Sequence, residues 1–544
     1  MKARLLKTAA KGLVIGASVL AFAGAAGATT NFTIYGASAQ FNFWNGAASA
    51  FLQSLGCTAA SITQYTATND SNSKITVATN CPSTLANDNG DGIYTINFSY
   101  SSKASYDGID SVLGVWDSSN NGGAAKPCDP TNTICCSAVS GYYYQRPVAT
   151  AGGGMACETI NIGTSDVDAG SFSQASNGLQ FGPLQGPMTN RAFTQANGNA
   201  GISVSKLNTT EAGMPNPQEP IAYPFGFFVN NGVTSTRCTT ASAANIDNFC
   251  LSDSDCGESN TTSYCVSHIC NATTSPTNKG GNCESETDCG GTNSYNYCKA
   301  QTIDNITRLQ VAALYSGGVA YWDDFGVYFK HSPNPLPVTL CMRHAGSGTH
   351  ATLDLGIVEG NGWGTGIVQN ASTAGNGNTP AYWYFNDGTS DLANCMAWAG
   401  GTSFAGKSPG YSTTAGDLVN LDSTAIGGAI GYMDADHAAP SNSVGPIKFN
   451  GVYPTRVTVH DGIYDNFWTV NRMYAANSLS TVQQTIYQKL ITFMSNPANL
   501  TDKILGSTRG ETYGVFGELN YQKTSDTAYP YVYTGPAATP ADPD

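Results

Sequence analysis

Sixteen cysteines fall in even-numbered groups along this chain, and they constrain its fold more than any other feature. Cys57 and Cys81 make a local pair. Cys128, Cys135, Cys136 and Cys157 make a group of four, eight more lie between Cys238 and Cys298, and Cys341 and Cys395 remain. Groups that can close within themselves are what oxidised, folded segments leave in a sequence. The group of eight contains a repeat: Cys250, Cys256 and Cys265 have the spacing C-x5-C-x8-C, and Cys283, Cys289 and Cys298 have it again. "CLSDSDC" and "CESETDC" are its matching halves. Few apolar residues lie here, so disulfides must replace a core. Eight cysteines allow 105 pairings, and spacing alone selects none of them. Cys265, His268 and Cys270 lie close together, as metal ligands can, but in an oxidising compartment disulfides are the stronger expectation. The haem-attachment pattern C-x-x-C-H is absent. No metal and no cofactor is expected.

The N-terminus points to that compartment. "MKARLLKTAAKGLVIGASVLAFAGAAGATT" has a basic start, an apolar stretch from Gly12 to Gly24, and Ala26-Gly27-Ala28 as an A-x-A cleavage pattern. Residues 1–28 are expected to be a secretory signal peptide, which places the mature chain in the periplasm or outside the cell. The apolar stretch is too short for a membrane anchor, and no later one is apolar enough to span a bilayer. Charged residues make up 11% of the chain and the net charge is −14, with no basic run. Nucleic acid and anionic membrane surfaces are therefore poor partners.

Between the cysteines, short strand-like and helix-like segments alternate, which predicts an α/β fold. "INIGTSD" and "LPVTLCM" read as buried strands. "SLSTVQQTIYQKLITFM" reads as a helix with Val482, Ile486, Leu490 and Phe493 on one face, and Ser480 and Gln483 form a capping box at its start. "NITRLQVAALYSG" reads as a second helix ending near Gly317. The Pro- and Ala-rich residues 535–544 read as a frayed tail.

Three motifs are set aside on context. "GTSFAGKS" (Gly401 to Ser408) fits the P-loop pattern, but Pro409-Gly410 blocks the helix that such a loop must open. "NDNGDG" (Asn87 to Gly92) starts like a calcium loop, but Phe98 stands where the bidentate glutamate belongs. Around Ser347 the nucleophile-elbow pattern G-x-S-x-G is not met, because Ala345 and Thr349 occupy the glycine positions. No enzymatic activity is expected.

"RHAGSGTHATLDLGI" (Arg343 to Ile357) is the informative stretch. A strand delivers the chain to Arg343, and the Gly346-Ser347-Gly348 turn lets backbone N–H groups converge unobstructed. The helix that follows begins with unpaired N–H groups, and Ser347 and Thr349 add hydroxyls. The pattern describes an oxyanion cradle with one fixed positive charge.

"RHAGSGT" resembles the arginine and glycine-serine-glycine-threonine signature of phosphate-binding proteins of the phosphate ABC transporter, the PstS type that includes the DING proteins. "YGASAQF" (Tyr35 to Phe41) resembles that family's first ligand loop, "YSSKASYDGI" (Tyr100 to Ile109) its second, and "INIGTSD" the strand ending in a ligand aspartate. "NITRLQVAALYSGGVAYWDDFG" and "GAIGYMDAD" match two further segments. The resemblance covers about two thirds of the mature chain in pieces, and the remainder reads as insertions.

The resemblance implies an α/β, two-lobed type II periplasmic binding protein fold with a disulfide-rich insertion, closing on its ligand like a hinge. Lobe 1 would hold residues 29–230 and 460–544, and lobe 2 residues 231–459, including the insertion 238–298. "PFGFFVN" and "YDNFWTVNRMY" would be the crossings. The implied ligand-binding residues are Gln40, Phe41, Ser105, Asp166, Arg343, Ser347, Gly348 and Thr349. The implied ligand is inorganic phosphate or a similar oxyanion, delivered to an ABC transporter permease or scavenged. The rival expectation is a secreted structural or adhesive protein on a degenerate binding fold. The chain departs from the family twice: Gln40 replaces a threonine of the first loop, and Ala345 replaces the aspartate of Arg-x-Asp-Gly-Ser-Gly-Thr. That aspartate accepts a proton from phosphate, so its loss predicts weaker rejection of sulfate.

Overall fold

The computed structural model describes residues 29–68, 70–82, 94–113, 145–172, 216–238, 248–250, 265–266, 269–270, 298–315, 318–329, 331, 335–343, 346–358, 382–386, 388–397, 427–437, 443–505, 512–523, 525–526 and 528–532. Residues 1–28, 87–92, 401–408 and 535–544, Cys128, Cys135, Cys136, most of the cysteine repeat, His344 and Ala345 lie outside these residues.

The fold class is the one expected, mixed α/β, and its strands form two principal sheets. The first starts with β1 (Thr29–Ala37), followed by α1 (Phe41–Ser54), β2 (Ile62–Ala67), β3 (Asp70–Cys81), β4 (Tyr94–Lys103) and α2 (Ser105–Leu113). A hairpin of β5 (Gln145–Ala149) and β6 (Met155–Thr159) precedes β7 (Ile162–Ser165). β1 lies between β4 and β7 and is parallel to both. From Phe32 onward every β1 residue is buried, as a central parallel strand covered on both faces must be.

α2 follows β4 and packs on β1 and β7 at backbone contact. A Cβ on Gly163 would stand 2.0 Å from the Gly108 carbonyl oxygen, and one on Gly108 would stand 2.2 Å from that of Thr164. Gly36, at φ 137°, passes under the same helix. Only glycine permits this approach, and it places the first residue of α2, Ser105, over the carboxyl end of β7. Gly163→Ala is accordingly expected to lower unfolding stability by about 1–3 kcal/mol, because both colliding atoms are backbone. Urea unfolding of the two proteins measures it, and an unchanged midpoint would contradict this packing.

The second sheet is built around β8 (Ile221–Asn230), all ten residues of which are buried. α3 (Arg308–Tyr315), β9 (Thr339–Arg343), α4 (Gly348–Leu353), β10 (Tyr382–Asn386), α5 (Thr389–Ala397), β11 (Ala429–Asp434) and β12 (Val444–Phe449) follow. β10, β9 and β11 are parallel neighbours in that order, and β8 runs antiparallel to β11. The first sheet repeats the pattern: β4, β1 and β7 are parallel in that order, and β14 (Arg472–Ala475) runs antiparallel to β7. β13 (Trp468–Val470), just before β14, pairs antiparallel with the first part of β8. The first part of β8 and β13 therefore lie side by side.

α6 (Thr481–Met494) is the helix the capping box announces: Ser480 Oγ accepts from the Gln483 N–H, and the Gln483 side chain accepts from the Ser480 N–H. It buries Ile486, Leu490 and Phe493 on one face, with Val482 packed at its edge. α3 ends within two residues of the expected stop.

Cys57 bonds Cys81, and Cys341 bonds Cys395. The second bridge occupies both cysteines through which the cysteine-rich segment could have been tied to β9 or α5. The two strands flanking the cysteine-rich segment, Thr234–Cys238 and Cys298–Thr302, pair antiparallel, with Cys238 opposite Cys298. Cys238 and Cys250 are both disulfide-bonded.

Candidate functional site

Three helix starts lie close together. The turn Ser38–Gln40 opens α1, Ser105 opens α2, and Ser347 caps α4 by accepting from the His350 N–H. Each start carries backbone N–H groups without intrahelical partners.

Arg343 ends β9 and is 1% exposed. Its Nη1 donates to Ser38 Oγ at 2.7 Å and to Thr389 Oγ1 at 3.0 Å, reaching the first helix start from the opposite sheet. Its backbone N–H donates to the Tyr432 hydroxyl at 3.0 Å, and that hydroxyl also meets His350 Nδ1. Burial, then the Arg343 charge, push the His350 imidazole down to about 3, so it is neutral near pH 7.

Ser105, Asp166 and Gly348 form the other side. The Asp166 N–H donates to Ser105 Oγ at 3.0 Å. A Cβ on Gly348 would stand 2.2 Å from Ser105 Oγ and 2.7 Å from Asp166 Oδ2, so only glycine fits between them. The Tyr106 N–H donates to the Gly346 carbonyl at 3.0 Å. Asp166 Oδ1 accepts from Tyr223 at 2.5 Å and from Gln40 Nε2 at 3.4 Å. Burial pushes the Asp166 carboxyl above its ordinary range, while the hydrogen bonds of Tyr223, Gln40 and Ser105 and the Arg343 charge oppose the rise.

The structure thus gathers Gln40, Ser105, Asp166, Arg343, Ser347 and Gly348 of the expected set, with Thr349 buried in the first turn of α4. Gln40 is fully buried, and its amide serves protein partners: Nε2 also donates to Tyr223 Oη and the Ser165 carbonyl, while Oε1 accepts from Trp44. Phe41 turns its ring toward Tyr100, with Lys74 Nζ 5.1 Å over it, and its N–H bonds the Ser38 carbonyl. Ser38, Tyr223 and Thr389 were not anticipated. Ser38 lies inside the quoted "YGASAQF", and Thr389 is the first residue of α5, directly after Gly388 at its N-cap. Tyr223 sits in an apolar run, and nothing local distinguishes it from core.

Among the described residues no cluster of His, Cys, Asp and Glu could hold a metal ion, and no helix is long and apolar enough to cross a membrane.

Fold and site together define a mixed α/β protein with a buried, mostly neutral polar centre built around one arginine and one aspartate. No family model matches the chain, and no curated protein matches it. Among solved structures it is similar to a protein from Clostridium perfringens assigned as a phosphate ABC transporter substrate-binding protein, with bound phosphate. The identity is 10%, the TM-score 0.36, and the match covers 89% of this chain and 100% of that one. An ABC-type phosphate transport receptor from Vibrio cholerae matches at 16% identity and TM-score 0.23, over 38% of this chain and 63% of that one. A possible phosphate-binding protein from Planctomyces limnophilus matches at 9% identity and TM-score 0.25, over 88% and 89%.

Proposed function

We propose that this chain is an exported oxyanion-binding protein whose ligand is inorganic phosphate, serving as the solute receptor of an ABC transporter or as a scavenger. It binds and does not catalyse. One observation carries the reading: the buried Arg343 guanidinium meets the Ser38 hydroxyl at 2.7 Å, where the starts of α1, α2 and α4 converge. A buried cation among hydroxyls and helix starts is chemistry suited to an oxyanion, and the acidic net charge does not oppose it, because the cradle acts locally.

In this reading residues 29–230 and 460–544 form one lobe around the first sheet. Residues 231–459 form the other, with β8 and β13 as crossings. Ser105, Arg343, Ser347, Gly348 and Thr349 contact the anion. Asp166 accepts the proton that phosphate still carries near neutral pH and that sulfate lacks. Gln40 holds Asp166.

A thermal-shift panel of oxyanions is the direct test: phosphate should raise the melting temperature, and a panel without effect would overturn the reading. Selectivity is the sharper measure. With alanine at 345, sulfate is expected to compete. Ala345→Asp should raise the phosphate-to-sulfate affinity ratio by on the order of tenfold or more, since one such hydrogen bond is worth about 1–3 kcal/mol. Competition titration on both proteins decides it, and an unchanged ratio would mean that Asp166 suffices or that another residue, such as His344, has taken the role.

A further inference from the structure

Behind the site, Arg472 ties Asp166 to the C-terminal stretch. Its Nη1 donates to the Asp166 carbonyl at 2.9 Å, and the Thr469 hydroxyl donates to the same oxygen. Its Nε faces Glu219 Oε1 at 3.1 Å, and its Nη2 donates to Asp526 Oδ1 at 2.8 Å. Asp526 Oδ2 in turn accepts from the Asp168 N–H at 2.7 Å and from Ser171 Oγ at 2.8 Å. The loop after β7 is therefore gripped at its start by Arg472 and further along by the acid that holds Arg472.

The stretch that supplies Asp526 has its own anchors. Lys523 Nζ donates to the Trp468 carbonyl at 2.7 Å and lies 4.5 Å over the Trp468 ring. The Ala528 carbonyl accepts from Asn466 Nδ2 at 3.1 Å, and the Arg308 guanidinium lies 5.1 Å from the Tyr529 ring centre. Glu219, Trp468, Arg472, Lys523 and Asp526 border a polar cavity of about 80 Å³, whose wall includes Thr352 of α4. Thr352 donates to the Gly348 carbonyl at 2.9 Å, so the cavity backs onto the site from both sheets.

We propose that Arg472, held by Glu219 and Asp526, is a positioning residue that fixes the Asp166 carboxylate toward the ligand, with the C-terminal stretch as its clasp. Both peptide groups flanking the Asp166 Cα are pinned, the N–H by Ser105 and the C=O by Arg472 and Thr469. With the backbone immobile, the carboxylate keeps one direction, and a site that reads a single proton depends on placement within about 0.5 Å. A buried arginine holds such a position only while its acids stay charged, because the loss of one partner leaves an uncompensated buried charge. The ligand part of this inference rests on the oxyanion reading, whereas the positioning part does not.

The test uses the full chain and Asp526→Asn, which keeps shape and removes charge. Amide hydrogen exchange at Asp166 and Val167, measured without ligand, should accelerate. Calorimetry should show phosphate binding weaker by about tenfold and a smaller phosphate-to-sulfate ratio, the scale of one charge-assisted hydrogen bond. Asp526→Glu should recover most of both. Lys523→Met removes the contact to Trp468 but keeps Asp526's own bonds to Arg472, Asp168 and Ser171, and should lower the melting temperature while leaving exchange and ratio in place. If Asp526→Asn does not fold, Thr469→Val removes the second donor to the same carbonyl and should give the same two changes. Native exchange at Asp166 in the folded variant would overturn the proposal, as would equal effects from Lys523→Met. A wild-type protein that binds no oxyanion would sink the functional reading instead, and exchange would still decide whether Arg472 positions Asp166.

Discussion

Arg343→Ala is expected to leave the fold in place and to remove nearly all oxyanion binding. The guanidinium is buried, and its Nη1 bonds to Ser38 and Thr389 draw α1 of one sheet and α5 of the other to the same point. Truncating one partner of a buried charge pair costs about 2–5 kcal/mol or more, which is tens to thousands-fold in affinity. The loss is specific to the bound state, since the two hydroxyls can bond each other at 3.3 Å without the arginine. Arg343→Lys should recover only part of the affinity, because a point charge cannot present the planar fork. Calorimetry with phosphate, alongside circular dichroism, separates binding from folding. Unchanged phosphate affinity in the alanine variant would refute the site.

Removing the Cys341–Cys395 bridge is expected to cost about 4 kcal/mol of stability, on the chain-entropy estimate for a sequence separation of 54. Cys341 lies two residues before Arg343 on β9, and Cys395 lies on α5, whose first residue, Thr389, accepts from Arg343. The bridge thus fastens the helix that holds the arginine to the strand that carries it. Cys341→Ala with Cys395→Ala should lower both the guanidinium midpoint and phosphate affinity. Cys57→Ala with Cys81→Ala, which closes a separation of 24, should lower stability by about 3–4 kcal/mol and leave affinity in place, because that bridge ties α1's far end to β3. Equal affinity losses in both pairs would show that stability, and not placement of Thr389, controls binding.

Much of this molecule is written locally. Ser480 and Gln483 announce α6, and the period of its apolar residues selects the buried face. The apolar run before Arg343 makes β9, and Gly346-Ser347-Gly348 makes the turn into α4, with Ser347 as its cap. The spacing of Cys57 and Cys81 is enough to suggest their bridge. Signals of this kind survive in a single sequence because helix caps, turns and periodicity act over a few residues.

What the tertiary structure decided is which distant residues meet. Ser38 and Arg343 are 305 positions apart, Gln40 and Tyr223 183, and Arg472 and Asp166 306. No periodicity couples such positions. They meet because β1 lies between β4 and β7, because glycines at 36, 108 and 163 let α2 press onto those strands, and because β13 lies along β8 before β14 returns to the first sheet. The kinds of group at the site follow from local chemistry, but their convergence follows from sheet order and register, which a chain fixes only when the whole core closes.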